Sequence, residues 1–250
     1  MRKVSFILTA VCVVPFVYIL ILSLRDLEGG FTLEHYYEVF FAQSQYLIRF
    51  WKSLAMSICI AAGQVFVSVM AGYGFAKYKF PGKNVMFFAL LILMIMPLQV
   101  TLVPNYIILD EMGLLDTYYA LILPAIFVPL GTFIMTQSFK SVPNEVIEAA
   151  KLDGCNTMTV ICKIVAPMNK SGLVCTMLLS FLDGWNLVEQ PLVYLNEFAD
   201  YPISVALASV PPEEPTVQLV CCLLVVLPPL FLFSYCNQEL AEGIAIGGEK

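Results

Sequence analysis

Residues 145–154 read EVIEAAKLDG, in a chain of which 60% is hydrophobic. This polar stretch contains two glutamates, a lysine and an aspartate, and it lies between two long apolar runs. Its residues favour a helix. A polar helix between apolar runs is typical of a loop that folds outside a membrane, so the apolar runs decide the fold class.

The apolar runs are long enough to cross a membrane. A transmembrane helix needs about 20 mainly apolar residues, and a mean hydropathy of +0.84 with 13% charged residues does not suit a soluble chain. Six stretches approach or reach this length: Val4–Leu24, Ser53–Ala76, Asn84–Val103, Tyr118–Phe139, Gly172–Val188 and Thr216–Cys236. We therefore expect an all-α polytopic membrane protein with six transmembrane helices. The first stretch is too long for a signal-peptide core and no A-x-A-like site follows it, which favours an uncleaved helix.

Prolines recur within these stretches, where they remove a backbone donor and kink a helix. In a membrane the freed carbonyl groups must find partners in neighbouring helices or a cavity. Those in or directly after the third, fourth and sixth stretches are Pro97, Pro104, Pro124, Pro129, Pro228 and Pro229. Kinked helices suit a protein with a moving central pathway, although kinks without motion are also common.

The lysines and arginines predict the orientation in the membrane, because they are enriched on the cytoplasmic side. Ten of the 13 lie at the termini and in the second and fourth loops, namely Arg2, Lys3, Lys77, Lys79, Lys83, Lys140, Lys151, Lys163, Lys170 and Lys250. The other three, Arg25, Arg49 and Lys52, lie in the first loop. Both termini and EVIEAAKLDG are therefore expected to be cytoplasmic. The net charge of −6 gives no indication of nucleic-acid binding.

The sequence predicts no metal site and no disulfide framework. The eight cysteines form no C-x-x-C pair and His35 is the only histidine. None of the cysteines falls in the outward loops, where disulfides could form. We expect them to be small buried hydrophobic residues.

The sequence divides into residues 1–52, with the first transmembrane helix and an outer interfacial segment, and a core of residues 53–250 with a cytoplasmic loop at 140–170. In segment 25–52, aromatic residues recur at near-helical spacing among charges, which predicts an amphipathic segment at the outer interface. Its expected anchors are Tyr36, Tyr37, Tyr46 and Trp51. Contact with an external partner is the alternative.

The cytoplasmic loop predicts two short helices outside the membrane. Asn144 is a suitable N-cap, and Gly154 suits the position that ends the first helix. Asn156 or Thr157 can cap the second helix, which Pro167 ends. Exposed alanines beside a glutamate would let another surface approach closely and pair with it, so we expect a docking element.

This loop resembles the cytoplasmic signature of permease subunits of binding-protein-dependent ABC importers, in which E-A-A is followed by G, and then by I and P. In that family the loop forms coupling helices that sit in a cleft of an ATPase subunit. The resemblance implies ATPase-coupling roles for Pro143, Glu145, Glu148, Ala149, Ala150, Asp153, Gly154, Ile164 and Pro167.

More of the chain resembles the carbohydrate-uptake branch of that family, and within it the smaller, maltose-type permease subunit. The segments that carry this resemblance are residues 71–83, 96–124, 180–195 and 242–250. The resemblance implies the type I ABC importer permease fold and a bacterial plasma-membrane location. It also implies three kinds of partner: a second permease in a heterodimer, two ATPase subunits and an extracytoplasmic sugar-binding protein. The chain has no G-x-x-x-x-G-K-S/T motif, so ATP and magnesium are expected on the partner ATPase. We expect a transport subunit rather than an enzyme, with no cofactor of its own.

Sugar contacts require hydrogen-bonding side chains and an aromatic plane at mid-membrane depth. Asp183, Trp185 and Asn186 are the best-placed candidates, and Gln64 and Gln99 are weaker ones. Each could equally bond to a neighbouring helix. Leu187 and Val188 stand where the family commonly has an acid and an aromatic residue, so the sequence does not identify the sugar.

The sequence leaves two other classes of function as alternatives. A secondary transporter driven by an ion gradient would need ion sites deep in the spans, and only Asp183 qualifies. A membrane transferase would need a general base or a metal, and His35 between Glu34 and Glu38 is the only candidate.

Overall fold

The computed structural model describes residues 2–25, 30–42, 44–207 and 215–248. In these ranges the chain is nearly all helical, and its only β pairing is an isolated bridge between Arg25 and Phe31. The predicted all-α class is confirmed. The α-helices are α1 (Arg2–Ser23), α2 (Glu34–Tyr37), α3 (Ser44–Lys77), α4 (Lys83–Ile95), α5 (Leu98–Glu111), α6 (Tyr118–Ile126), α7 (Pro129–Lys140), α8 (Asn144–Leu152), α9 (Thr157–Val160), α10 (Ala166–Met168), α11 (Lys170–Trp185), α12 (Glu189–Tyr194), α13 (Ile203–Ala206) and α14 (Pro215–Gly248). Glu38–Ala42 and Ile161–Val165 are π-helical, and Phe198–Asp200 is a 3₁₀ turn.

Three apolar segments in the described residues are long enough to cross a membrane. They are Gln45–Lys77, Tyr118–Lys140 and Thr216–Asn237. Two further helix pairs are bent, by 105° between α4 and α5 and by 89° between Thr157–Met168 and α11. Counting each bent pair as one span gives five, so a total of six spans stays a prediction.

The sharp bend between α4 and α5 lies at Pro97, inside the stretch that the sequence marks as the third span. Met96 and Pro97 both have extended backbone, with ψ angles of 131° and 144°. A proline disfavours the helical conformation of the residue before it, and Met96 is the residue at which α4 is capped. Pro104, in contrast, lies inside α5 without ending it. Only the first of these two prolines breaks the helix.

The chain divides into two compact units. One consists of residues 1–54 and 197–231, and the other of residues 55–196 and 232–250. The first unit holds Arg49 against the turn at Phe198. The Arg49 guanidinium lies 4.3 Å from the centroid of the Phe198 ring and donates to the Phe198 carbonyl oxygen over 3.2 Å. Lys52 pairs with Asp200 at 3.4 Å, and the Ile203 amide donates to the Ser53 hydroxyl.

The aromatic residues of segment 25–52 do not all lie at the surface. Tyr37 and Trp51 are exposed, as the prediction of an interfacial belt requires. Tyr46 is buried against Val217, Val220 and Cys221. The prediction that Tyr46 is a surface anchor was wrong, because its ring packs against α14 instead.

The second unit has its core where α3 and α7 pass close together. Gly72 permits this approach, because a Cβ atom there would lie 2.7 Å from the Cβ atom of Met135. Small residues at helix crossings are the usual means of close packing in membrane proteins. The buried members of this core are Val69, Tyr73, Met135, Phe139, Val142, Ile147, Ala150, Val160, Ile161 and Val165.

We predict that Gly72→Ala destabilises the protein, whereas Gly74→Ala on the same helix does not. At Gly74 an added Cβ atom would meet nothing within 4 Å, so alanine there gains helix propensity of up to about 1 kcal/mol. At Gly72 the added methyl group overpacks the core, which costs about 1–3 kcal/mol. Denaturant unfolding of the purified chain in detergent measures both values, and equal stabilities of the two variants would contradict the prediction.

Candidate functional site

One face of α8 is buried and the opposite face is exposed. Ile147 and Ala150 point into the core described above. Four exposed residues, Glu145, Glu148, Ala149 and Leu152, recur at the spacing of one helix face. With the exposed flanking residues Pro143 and Asp153 they form what we call the α8 surface. Leu152 is 89% exposed, so this surface presents a large apolar side chain beside three carboxylates.

Gly154 ends α8 in the conformation that the sequence predicts. Its φ angle is +82°, which glycine adopts at little cost. The Gly154 amide donates to the Lys151 carbonyl and the Cys155 amide donates to the Ala150 carbonyl, both over 3.0 Å. These two bonds constitute a Schellman motif. They fix the length of α8, and with it the extent of the α8 surface.

The start of α8 differs from the prediction. Pro143 is the N-cap and Asn144 is the first helical residue, so the predicted cap was wrong. Pro143 has the extended backbone of an N-cap, with φ −59° and ψ 139°, and proline's fixed φ suits that position. The Asn144 side chain instead accepts a hydrogen bond from Lys77 Nζ over 3.2 Å. Lys77 also donates to the Val142 carbonyl oxygen, so the end of α3 is tied to the entry of α8.

The chain after α8 is only partly exposed. Asn156 caps α9 as predicted, accepting from the Thr159 amide over 2.8 Å. Pro167 is exposed within α10, which ends one residue later at Met168. Ile164 is half-buried and packs against the core. Ala150 is buried as well, so the expectation that both alanines of the motif lie on an exposed face was wrong for Ala150.

A cavity of about 1110 Å³ lies elsewhere in the same unit. Its walls come from α4, α5 and α6, the start of α7, the end of α11, the start of α12 and one residue of α3. Most lining residues are apolar. The polar ones are Thr101, Asn105, Asp183, Asn186, Glu189 and Gln190.

The structure brings together only part of the predicted substrate path. Asp183 and Asn186 line the cavity. Gln99 does not line the cavity. Its amide nitrogen lies 3.0 Å from both carboxylate oxygens of Glu189, and Glu189 is a lining residue. Trp185 is 1% exposed and stacks on Phe181, outside the lining.

Gln64 is also outside the cavity lining and is 2% exposed. Its Nε2 atom donates to the Val128 carbonyl oxygen over 3.2 Å, across the break between α6 and α7. Val128 is the N-cap of α7, so this bond ties α3 to the point where the helix is interrupted. The placements of Gln64 and Trp185 favour packing roles for both residues.

Sequence reasoning missed Glu189, Asn105 and Thr101. Glu189 was taken as a loop acid because it follows the fifth apolar stretch. The signal for the other two was available: Leu98, Thr101, Asn105 and Met112 recur at helical spacing and all line the cavity. Reading residues 98–111 as a helix, rather than as the end of a span and a loop, would have placed them together.

No group of three or more metal-ligating side chains occurs among the described residues. The segment around His35 also lacks a catalytic arrangement: His35 Nε2 is buried and makes no hydrogen bond within the described part of the chain. Nothing in this arrangement supports the transferase hypothesis.

The comparisons with known proteins agree with the geometry. A family model described as "Binding-protein-dependent transport system inner membrane component" matches residues 64–236. The arabinooligosaccharides transport system permease protein AraQ of Halalkalibacterium halodurans is 30% identical over 222 residues, covering 88% of this chain and 80% of AraQ. The sn-glycerol-3-phosphate transport system permease protein UgpE of Escherichia coli is 28% identical, covering 80% of this chain and 74% of UgpE.

Among solved structures, a bacterial ABC transporter involved in the import of the acidic polysaccharide alginate matches with a TM-score of 0.77. It is 20% identical, and the match covers 95% of this chain and 94% of that chain. At this identity the match shows a shared fold. The family match covers well over half of the sequence, so the chain belongs to the binding-protein-dependent transport system inner membrane components, which are multi-pass permease subunits of ABC importers and not enzymes themselves.

Proposed function

We propose that this chain forms half of the pathway by which an ATP-driven importer moves a sugar or oligosaccharide, and that the α8 surface docks on a separate ATPase. The observation that carries the proposal is that one face of α8 is buried and the opposite face is exposed. Its inner face is part of a core shared with α3 and α7, while its outer face exposes Glu145, Glu148 and Leu152. A force applied to the outer face is therefore passed to α3 and α7.

The docking chemistry follows from this surface. The exposed carboxylates suit basic residues on a partner, and Leu152 suits an apolar pocket. Ala149 adds no bulk, so the partner can approach the backbone. In this proposal Ala150, Gly154 and Ile164 act indirectly, because they seat α8 or define its end. Pro143, Asp153 and Pro167 are exposed at the margins.

The remaining partners follow from the family. We infer a second permease in a heterodimer, two ATPase subunits that bind ATP and magnesium, and an extracytoplasmic sugar-binding protein. Both termini and α8 lie on the cytoplasmic side, which the distribution of lysine and arginine supports. ATP-driven closure of the ATPase pair would favour one state of the permease pair, and this is how a distant ligand shifts a conformational equilibrium.

The cavity is the proposed solute pathway of this half. Asp183, Asn186 and Glu189 offer hydrogen-bonding groups between apolar walls, and Gln99 holds Glu189 in place. Relatives are named for arabinooligosaccharides and for sn-glycerol-3-phosphate. These names support a carbohydrate or a related polyol as the solute, but the two named solutes differ in charge.

We predict that the double variant Glu148→Lys, Leu152→Glu loses its ATPase. The change reverses one charge and removes the exposed apolar side chain, and it leaves the buried face of α8 intact. Interface charges of like sign cost several kcal/mol, which corresponds to a loss of at least about tenfold in affinity. Co-purification of the ATPase with the tagged chain, expressed with its neighbouring reading frames, measures the effect.

The matched control is Glu111→Lys, at the exposed end of α5 on the side predicted to face outward. It should retain as much ATPase as the wild type. Equal retention by all three proteins would refute docking through α8. If no form carries an ATPase, and vesicles with the chain alone accumulate solute along an ion gradient without ATP, a secondary transporter replaces the proposal.

A second prediction concerns Lys77. Lys77→Met removes the bonds to the Val142 carbonyl and to Asn144, each worth about 1.5–3 kcal/mol for a charged donor. The core contacts of Ile147 and Ala150 remain, so the ATPase should stay bound. The entry of α8 becomes loose, and we expect severalfold less sugar transported per ATP hydrolysed.

Lys83→Met is the control, because Lys83 donates only to the nearby Tyr78 carbonyl among the described residues. Parallel measurement of uptake and ATP hydrolysis in proteoliposomes gives the ratio for each variant. An unchanged ratio in Lys77→Met would show that this tie plays no part in coupling.

A further inference from the structure

The cavity is lined by two acidic side chains and by no basic one. Asp183 and Glu189 are among its 25 lining residues, which include no lysine, arginine or histidine. We propose, resting on the function proposed above, that these two carboxylates make the pathway selective for neutral carbohydrates over acidic ones. Uronic acids, sugar phosphates and similar anions would be rejected.

Neither carboxylate is neutralised by a basic side chain in the described part of the chain. The two salt bridges found there join Lys52 to Asp200 and Lys170 to Glu239. Within the described residues, Glu189 accepts from the side chain of Gln99, whose amide nitrogen is 3.0 Å from each carboxylate oxygen. An amide donor orients a carboxylate without removing its charge.

The walls strengthen the effect of this charge. Most of the lining is apolar, with residues such as Leu93, Leu121 and Phe127. Charges interact more strongly beside such walls than in bulk water, because the effective dielectric constant is lower. A cleft lined by charge of one sign also focuses the field and lowers the local concentration of ions of the same sign.

The same groups suit the hydroxyl groups of a neutral sugar. A carboxylate only accepts hydrogen bonds, and a sugar hydroxyl can donate one to it. The amides of Asn105, Asn186 and Gln190 can both donate and accept. A uronate offers its own acceptor-only carboxylate in place of a hydroxymethyl group, so it loses a donor and gains repulsion at the same position.

The test uses the complete importer in proteoliposomes and matched disaccharide pairs. Each pair consists of a 1,4-linked glucose, galactose or mannose disaccharide and the corresponding diuronic acid, which differ only at C6. We expect wild-type uptake to favour the neutral member of the transported pair by at least about tenfold, the factor that roughly 1.4 kcal/mol produces. The double variant Asp183→Asn, Glu189→Gln should reduce this preference severalfold.

Glu111→Gln is the control, since this exposed carboxylate lies outside the cavity and its removal should leave the preference unchanged. Equilibrium binding of the same sugars to the solubilised complex without its binding protein removes any selection by that protein. There too, the preference for the neutral sugar should fall in the double variant.

The outcomes separate the two proposals. If the wild-type complex prefers the acidic sugar, or if the double variant keeps the full preference in both measurements, the charge-selection proposal is wrong while carbohydrate transport stands. If no form of the complex carries or binds either member of any pair, and arabinooligosaccharides are not carried either, carbohydrate transport itself is wrong.

Discussion

The packing of the inner face of α8 against α3 and α7 is the contact on which the rest of the arrangement depends. Ile147 and Ala150 enter a core with Val69 and Met135, and this burial turns a short helix into a fixed part of the permease. A nine-residue helix is marginal by itself in water. Tertiary packing, together with the Schellman motif at its end, gives the α8 surface a defined shape.

Much of this region could be predicted from sequence because it depends on local chemistry. Gly154 is needed where the backbone has a positive φ angle, and Asn156 caps the next helix through its own side chain. The start of α8 was less predictable, since Pro143 and Asn144 both suit an N-cap. Lys77 Nζ, some 67 residues earlier in the chain, binds the Asn144 side chain, and no local pattern reveals this contact.

The cavity, in contrast, could be predicted from sequence only in small part. The sequence marked Asp183 and Asn186 by their polarity in an apolar stretch, but polarity alone does not say which way a side chain points. Trp185 stands between them in sequence and lies in the core. Glu189 belongs with Asp183 only because the chain turns after α11 and begins α12 at the cavity wall. The way in which the broken helices pack over long range decides which of the candidate residues line the cavity together.

The bend at Pro97 also has a consequence for the insertion of the chain into the membrane during synthesis. At about 1.5 Å per residue, the 13 residues of α4 extend about 20 Å, well short of the roughly 30 Å hydrocarbon layer. One partner of the following α5 is Tyr194, whose hydroxyl group donates to the Leu102 carbonyl oxygen across 92 residues of sequence. At about 5–20 residues per second, the ribosome reaches Tyr194 some 5–18 s after Leu102. During that interval the segment after Pro97 lacks this contact, which forms only after the later helices have been made.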